Sequence, residues 1–168
     1  MADEPIIYLD TNIVSALFYA GMDSTAVSRR IATKEWWDHE RRLFNVVTSA
    51  FVEAELTQGI LRGQKAAIAT ARRIAFLPDR AYVRACAKQY LEKKVVPISK
   101  PGDAAHLAFA SVYRADYLLS WNHSHLANDE VQAKLELLNR RLGLRTPLLR
   151  SPVTMPRAAL GQTIRRRS

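Results

Sequence analysis

The chain has 168 residues, 48% of them hydrophobic, which is a length for one domain and a composition rich enough for a real core, so a wholly disordered chain is excluded. One cysteine, Cys86, excludes an internal disulfide and a cysteine-based zinc cluster, and a reducing cytoplasm is the expected compartment. Lys and Arg number 25 against 16 Asp and Glu, a net +9 that favours a polyanionic partner over a plain solubility surface, with part of the excess in Arg165-Arg166-Arg167.

In chain order, Ile6 to Leu9 reads as a strand, because a short unbroken apolar run with β-branched and aromatic residues suits a fully buried parallel strand. A helix follows from Asn12, taken as its N-cap, to Tyr19, with Gly21 ending it. Ser24 caps a second helix through about Arg41, and Leu43 to Val47 makes the next strand. Ser49 begins a helix carrying Glu55, Gly59 to Gly63 breaks it, and Gln64 to Ala75 reads as another. After Pro78 a helix runs from about Asp79 to Glu92, Val95 to Ser99 is extended, and Pro101-Gly102 turns into a helix that opens with Asp103. Tyr117 to Ser120 is a strand. Val131, Leu135, Leu138 and Leu142 follow helical spacing from Asp129 to Leu142, Gly143 is the stop, and Leu148-Leu149 is the last strand. Residues 1–5 lack the basic start and apolar core of a signal peptide, and no apolar stretch approaches the roughly 18 residues that span a bilayer, so a soluble protein without membrane contact is expected.

Strand–helix alternation demands a parallel sheet with helices on its faces, and that geometry gathers the chain's acids. Asp10 closes the first strand, and Asn122 lies just beyond the Tyr117–Ser120 strand, so both fall at the carboxyl rim where open α/β sheets place their chemistry. Glu55 lies about 9 Å along its helix from Ser49, close enough to lean over that rim. Glu53 is about 200° around the same helix, so only one of the two faces the cleft, and Glu55 shares its face with Phe51, Val52 and Gly59. Asp103 stands in a helical first turn, where exposed N–H groups favour a carboxylate or a phosphate. Asp116 precedes its strand and falls at the opposite rim, roughly 13 Å or more from Ser120. Several acids converging in this way are what a hard divalent cation, Mg²⁺ or Mn²⁺, needs, although Asp10 alone also reads as a turn cap and Asp103 alone as a helix-dipole partner.

Asp10-Thr11-Asn12 after a strand, Glu-Leu-x-x-Gly at Glu55 to Gly59, Asp-Ala-x-His-Leu-Ala at Asp103 to Ala108, and Tyr117-Leu118-Leu119-Ser120-Trp121-Asn122 resemble a PIN domain, and more narrowly the VapC-type toxins of bacterial toxin–antitoxin pairs. Order and spacing agree over about residues 5–150. The resemblance implies a PIN-like three-layer α/β/α fold with a central, mainly parallel sheet at residues 1–150; residues 151–168, with Pro152, Pro156 and four arginines from Arg157 onward, read by their composition as a basic, loosely packed tail. The resemblance also implies a metal-dependent endoribonuclease with an RNA substrate, a cognate antitoxin and a homodimer. Asp10, Glu55 and Asp103 match the family's first three acids. Asn122 stands where a fourth acid is usual, and its amide oxygen completes a Mg²⁺ or Mn²⁺ site formed with Asp10 and Asp103. Three carboxylates leave one negative charge against one divalent cation, so one tightly held ion is expected.

Asp10, Glu55 and Asp103 are thus the expected catalytic set, hydrolysing an RNA phosphodiester by metal-activated water and leaving 5′-phosphate and 3′-hydroxyl ends. Thr11, Asn12 and Ser120 are expected to position ligands or phosphate, Asn12 being equally a simple helix cap. His106, one turn after Asp103, is expected to pack or to hydrogen-bond that acid from behind the metal rather than to ligate the ion, since oxygen ligands suit Mg²⁺. Trp36 and Trp37 read as core, and Trp121 is a candidate for base stacking. Two rivals stand: a metal-independent ribonuclease using His123 or His125, and a catalytically degenerate PIN-like module that binds RNA or protein. DNA as substrate also stays open.

Overall fold

Five strands, β1 (Ile6–Leu9), β2 (Asn45–Ser49), β3 (Ala75–Leu77), β4 (Tyr117–Leu119) and β5 (Leu148–Arg150), form one sheet in the computed structural model, which describes residues 4–60 and 62–156. The order is β3-β2-β1-β4-β5 and every pairing is parallel. The helices are α1 (Thr11–Phe18), α2 (Ser24–His39), α3 (Ala50–Gln58), α4 (Gln64–Ala71), α5 (Ala81–Glu92), α6 (Pro101–Val112) and α7 (Asp129–Leu142). Parallel neighbours need crossover connections, which are right-handed, so the helices between β1 and β3 fall on one face and those between β3 and β5 on the other. The packing agrees: α1 lies against α2, α3 and α4, while α5 packs along α6. This is the expected three-layer α/β/α arrangement.

The centre of the sheet is the centre of the core. β1 is hydrogen-bonded on both edges and covered on both faces, so Ile7, Tyr8 and Leu9 are buried without alternation. Leu118 and Leu119 beside them and Leu107 above are equally buried, and each such side chain contributes about 1.5–3 kcal/mol by leaving water. Tyr8 lies parallel to Phe109 of α6 at 6.1 Å between ring centroids, which ties the central strand to that layer. Gly63, the cap before α4, has φ +90°, and a Cβ there would come within 2.3 Å of the Phe18 carbonyl oxygen, so this position needs glycine to let α4 close onto the end of α1.

The reversal of strand order defines where a site forms. From β1 the chain crosses to β2 on one side, and the later half of the chain returns to β4 on the other, so the carboxyl ends of β1 and β4 face a crevice that no crossover covers. Asp10 and Ser120 stand at those two ends, where the Asp10 N–H donates to the Leu119 carbonyl at 3.1 Å. Asp116 lies at the other rim as expected. Its carboxylate accepts from the Ile6 N–H at 2.8 Å and pairs with Arg145.

Several local expectations shift. Helix α1 begins two residues earlier than the Asn12 cap allowed, because Asp10 itself is the cap and accepts from the Asn12 N–H. β2 lies two residues later than Leu43–Val47 and runs straight into α3, whose cap is Ser49. Ala75–Leu77 is an edge strand, not the end of a helix: Ala71 and Ile74 are buried, and Phe76 pairs in register with Thr48. Val95 to Ser99 belongs to no strand. Val95 and Val96 are buried in a turn in which the Val95 N–H donates to the Tyr90 carbonyl, so the apolar pair fills the core from a loop. Ser151 and Met155 are buried, so the packed body reaches past residue 150, while the arginines from Arg157 onward lie outside the described residues. Among the described residues no helix is long and apolar enough to cross a membrane.

Candidate active site

A cavity of about 560 Å³ opens at the crevice and is lined by Asp10, Glu55, Asp103 and His106, together with residues of α1 and α2. Each acid arrives from a different element: the cap of α1, the middle of α3 and the first turn of α6. Asp10 is 4% exposed and is held from the end of β4 and from the first turn of α1. The Ser120 hydroxyl donates to its Oδ2 at 2.6 Å, and the Asn12 Nδ2–H donates to the same atom at 2.7 Å. Asn12 also donates to Ser120 Oγ at 3.0 Å and accepts from the Trp121 N–H at 2.8 Å, so it bridges the ends of β1 and β4. Thr11 donates a short hydrogen bond to Glu55. Gly102 leaves room for that carboxylate: a Cβ there would lie 3.1 Å from Glu55 Oε1.

His106 occupies the middle of the cluster. Its Nε2 is 3.1 Å from Asp10 Oδ1 and 3.0 Å from Glu55 Oε2. Carboxylates only accept, so Nε2 carries a proton shared between them. Its Nδ1 is 3.0 Å from the Tyr8 hydroxyl, which is 2.8 Å from Ser49 Oγ, and Phe51 meets the ring edge-on at 5.2 Å. The ring is therefore fixed from every side. One ligand atom each from Asp10, Glu55 and His106 lie within 4.8 Å of one another, a spacing that can hold a metal ion. His106 touches both acids directly, a closer role than its place one turn after Asp103 implied.

Charge balance sets the protonation states of the metal-free site. Burial pushes Glu55 up, but the hydrogen bond and charge of His106 and the Thr11 hydroxyl outweigh it and hold the carboxyl below its ordinary 4.5. Burial pushes His106 down, but the charge of Asp10 and the hydrogen bond and charge of Glu55 win, with Asp103 adding to them, and the imidazole lies above its ordinary 6.5. A raised imidazole stabilises the fold fully below the unfolded value and loses that contribution as pH climbs through the folded one. A lowered carboxyl stabilises above its unfolded value and loses it as pH falls through the folded one. Thermal unfolding in EDTA should therefore be highest between these limits and decline toward alkaline pH, and His106→Gln should remove the alkaline limb. Melting temperatures across about pH 6 to 9 test this, and parallel profiles for the two proteins would refute it.

Asp103 faces the same cavity but is bound differently. Asn122 donates Nδ2–H bonds to both of its oxygens, at 3.1 and 3.2 Å, and accepts the His125 N–H at 3.1 Å through Oδ1. The amide oxygen that was expected to ligate metal is thus engaged by backbone, and Asn122 meets Asp103 as a donor. Burial and the charge of Asp10 hold Asp103 above its ordinary 3.8, opposed by His106, His125 and Asn122. Glu53 points away and pairs with Arg72 at 2.6 Å. His123 and His125 do not line the acid cavity. Trp36 is buried, Trp37 packs beside it, and Trp121 is buried at the cavity wall.

A parallel α/β domain with an acid-lined cavity at its topological switch point defines the class of protein. Residues 7–136 match the family described as PIN domain, and the chain belongs to that family, whose members are typically nucleases. Among solved structures it is similar to VapC20 from Mycobacterium tuberculosis, a sarcin–ricin-loop-cleaving toxin, with a TM-score of 0.51 and 22% identity over 67% of this chain and 86% of that one. No curated protein sequence matches it.

Proposed function

We propose that this chain is a Mg²⁺- or Mn²⁺-dependent endoribonuclease, the toxin of a type II toxin–antitoxin pair, with Asp10, Glu55 and Asp103 as its catalytic acids. The observation that carries the reading is the convergence of Asp10 and Glu55 on one buried point beside Asp103 in a single open cavity. Carboxylate oxygens suit a hard divalent ion, and Asp10, Glu55 and Asp103 would hold it; His106 Nε2 would join them, better matched to Mn²⁺ than to Mg²⁺, only after giving up its proton. Bound there, the ion would supply a water acidic enough to attack a phosphodiester near neutral pH and positive charge for the departing oxygen.

The protein's own groups set up that chemistry. Ser120 and Asn12 satisfy one oxygen of Asp10 and so leave the other turned toward His106 and the cavity. Thr11 and His106 orient Glu55, and Asn122 orients Asp103. His106 holds a proton at Nε2 between two acids, which keeps the cluster tolerable before a cation arrives. The net charge of +9 suits a polyanionic strand, and the resemblance of fold to a toxin described as cleaving the sarcin–ricin loop favours RNA. An antitoxin that covers the cavity and a homodimer complete the reading.

Purified protein should cut structured RNAs in Mg²⁺ or Mn²⁺ and not in EDTA, leaving 5′-phosphate and 3′-hydroxyl ends. Cutting that survives EDTA, or cyclic-phosphate ends, would overturn the assignment. One observation favours a second reading as a degenerate binding module: Asn122 replaces a charge and ties up both oxygens of Asp103. That reading predicts tight RNA or protein binding with no cleavage in any metal.

A further inference from the structure

The cavity that holds the acids continues beyond them. A polar depression of about 310 Å³ adjoins it, lined by Asn12, Arg29, Trp121, Asn122, His123 and Ser124. Asn12, Arg29 and Trp121 line both, so the two form one trough with Arg29 at the junction.

Arg29 is unlike the arginines that serve the fold. Arg72, Arg84 and Arg145 pair with Glu53, Asp79 and Asp116, and the neighbouring Arg30 donates to the carbonyls of Tyr19 and Gly21. Arg29 has no carboxylate partner among the described residues, although three acids line the same cavity. Its guanidinium lies over the Trp121 ring instead, 5.7 Å from the centroid. That ring is a fixed platform: its Nε1–H donates to Thr33 Oγ1 at 2.8 Å, and the Trp121 N–H donates to Asn12 at 2.8 Å. Thr33 Oγ1 donates in turn to the Arg29 carbonyl, so the platform and the arginine share one anchor on α2. A planar cation stacked on an aromatic face, half-buried and with its forked donors unclaimed by carboxylate, is the arrangement that receives a phosphate bidentately.

We propose that Arg29 binds the backbone phosphate adjoining the scissile one, with Trp121 as its support, and that the depression beside His123 and Ser124 receives the nucleotide attached to it. The inference rests on the ribonuclease reading and names how that site grips its strand. It also explains why the cation is directed along the trough: a pairing with Asp10 or Glu55 would compete with the metal for the acids, whereas a stacked Arg29 leaves them open.

The test uses the Asp10→Asn protein in Mg²⁺, so that RNA survives, and follows fluorescence anisotropy of a labelled single-stranded oligoribonucleotide of mixed sequence through a salt series. Adding Arg29→Gln should raise Kd about tenfold, as for loss of a charge-assisted hydrogen bond. It should also reduce the slope of log affinity against log salt by about 0.7, the share of one phosphate contact on a single strand. Arg29→Lys, which keeps the charge without the fork or the stacking, should recover the slope but not the full affinity. Arg84→Gln removes the same charge away from the trough and should change neither. In the cleaving protein Arg29→Gln should raise KM and leave kcat nearly unchanged. Unchanged Kd and slope in Arg29→Gln, an equal loss in Arg84→Gln, or no RNA binding by the Asp10→Asn protein would overturn the inference. Arg29-dependent binding by a parent protein that never cleaves would refute the nuclease reading, and with it the scissile phosphate, while sustaining Arg29 as a backbone-phosphate contact.

Discussion

Asp10→Asn is expected to remove metal-dependent RNA cleavage by a factor on the order of 10²–10³ or more, the loss seen when one preorganised charge-stabilising group is deleted. Asp10 carries three jobs on two oxygens. It caps α1, it ties β1 to β4 through Ser120 and Asn12, and it turns one oxygen to the point shared with Glu55 and His106. Asparagine's amide oxygen, at the Oδ2 position, can keep the second job, but its NH₂ then stands where Oδ1 accepted the Asn12 N–H, so the cap is lost. Asparagine also fails at the third, because an amide has one acceptor oxygen and no charge. The loss of the contact to His106 should lower stability by about 1–3 kcal/mol, so the variant stays folded. Two readouts separate the roles: single-turnover cleavage, and the rise in melting temperature on adding Mn²⁺, which measures ion binding to the native state and should vanish with the charge. A variant that keeps the parent's rate and the parent's Mn²⁺ response would remove Asp10 from the site.

The opposite pattern is expected at the other end of the same sheet. Asp116→Ala should lower stability by about 3–5 kcal/mol, the usual consequence of breaking a buried ion pair from one side. For a chain of this size that is a fall of roughly 6–20 °C in melting temperature. Asp116 is 1% exposed, and its carboxylate accepts from the Ile6 N–H at 2.8 Å and from Arg145. Its backbone N–H donates to the Ile6 carbonyl at 2.8 Å and its carbonyl accepts from the Leu148 N–H at 2.9 Å, so this one residue ties the starts of β1 and β5 together at the amino rim. Alanine keeps the backbone bonds and deletes the acceptor. Urea unfolding gives the stability, and cleavage per folded molecule should match the parent because the acid cavity is at the far rim. A loss of rate beyond the loss of folded protein would mean that the two rims are coupled.

The contrast between these two aspartates bears on what a linear chain can reveal. Which rim each occupies follows from sequence alone: Asp10 ends an apolar run, Asp116 precedes one, and strand polarity in a parallel sheet does the rest. The choice of Glu55 over Glu53 follows equally from helical angle, and Glu53 is found paired with Arg72 on the outer side. Periodicity likewise located α7 and its stop at Gly143, whose φ of +67° is the left-handed conformation that glycine adopts freely. The PIN resemblance rested on short motifs whose order was already the order of elements around the switch point.

Other features depend on contacts between residues far apart in the chain. β3 was unreadable because three residues beside an alanine-rich helix have no period of their own, and only the edge of β2 makes them a strand. Val95-Val96 looked like a strand because burial, not strand pairing, selects apolar residues there. His106 sits 51 residues from Glu55 and 96 from Asp10, and no spacing rule could put one ring nitrogen between both carboxylates; the α6 layer and the Tyr8 hydroxyl do that. Asn122 was legible as a missing charge, but its direction was set by the His125 N–H and Asp103. Local pattern and strand polarity thus determined the fold class and the rim to which the acids belong, since both act over a few residues. The partners of each acid, the ring between them and the stacked Arg29 were decided by tertiary packing, because hydrogen bonds of about 3 Å are specified only after whole layers have docked.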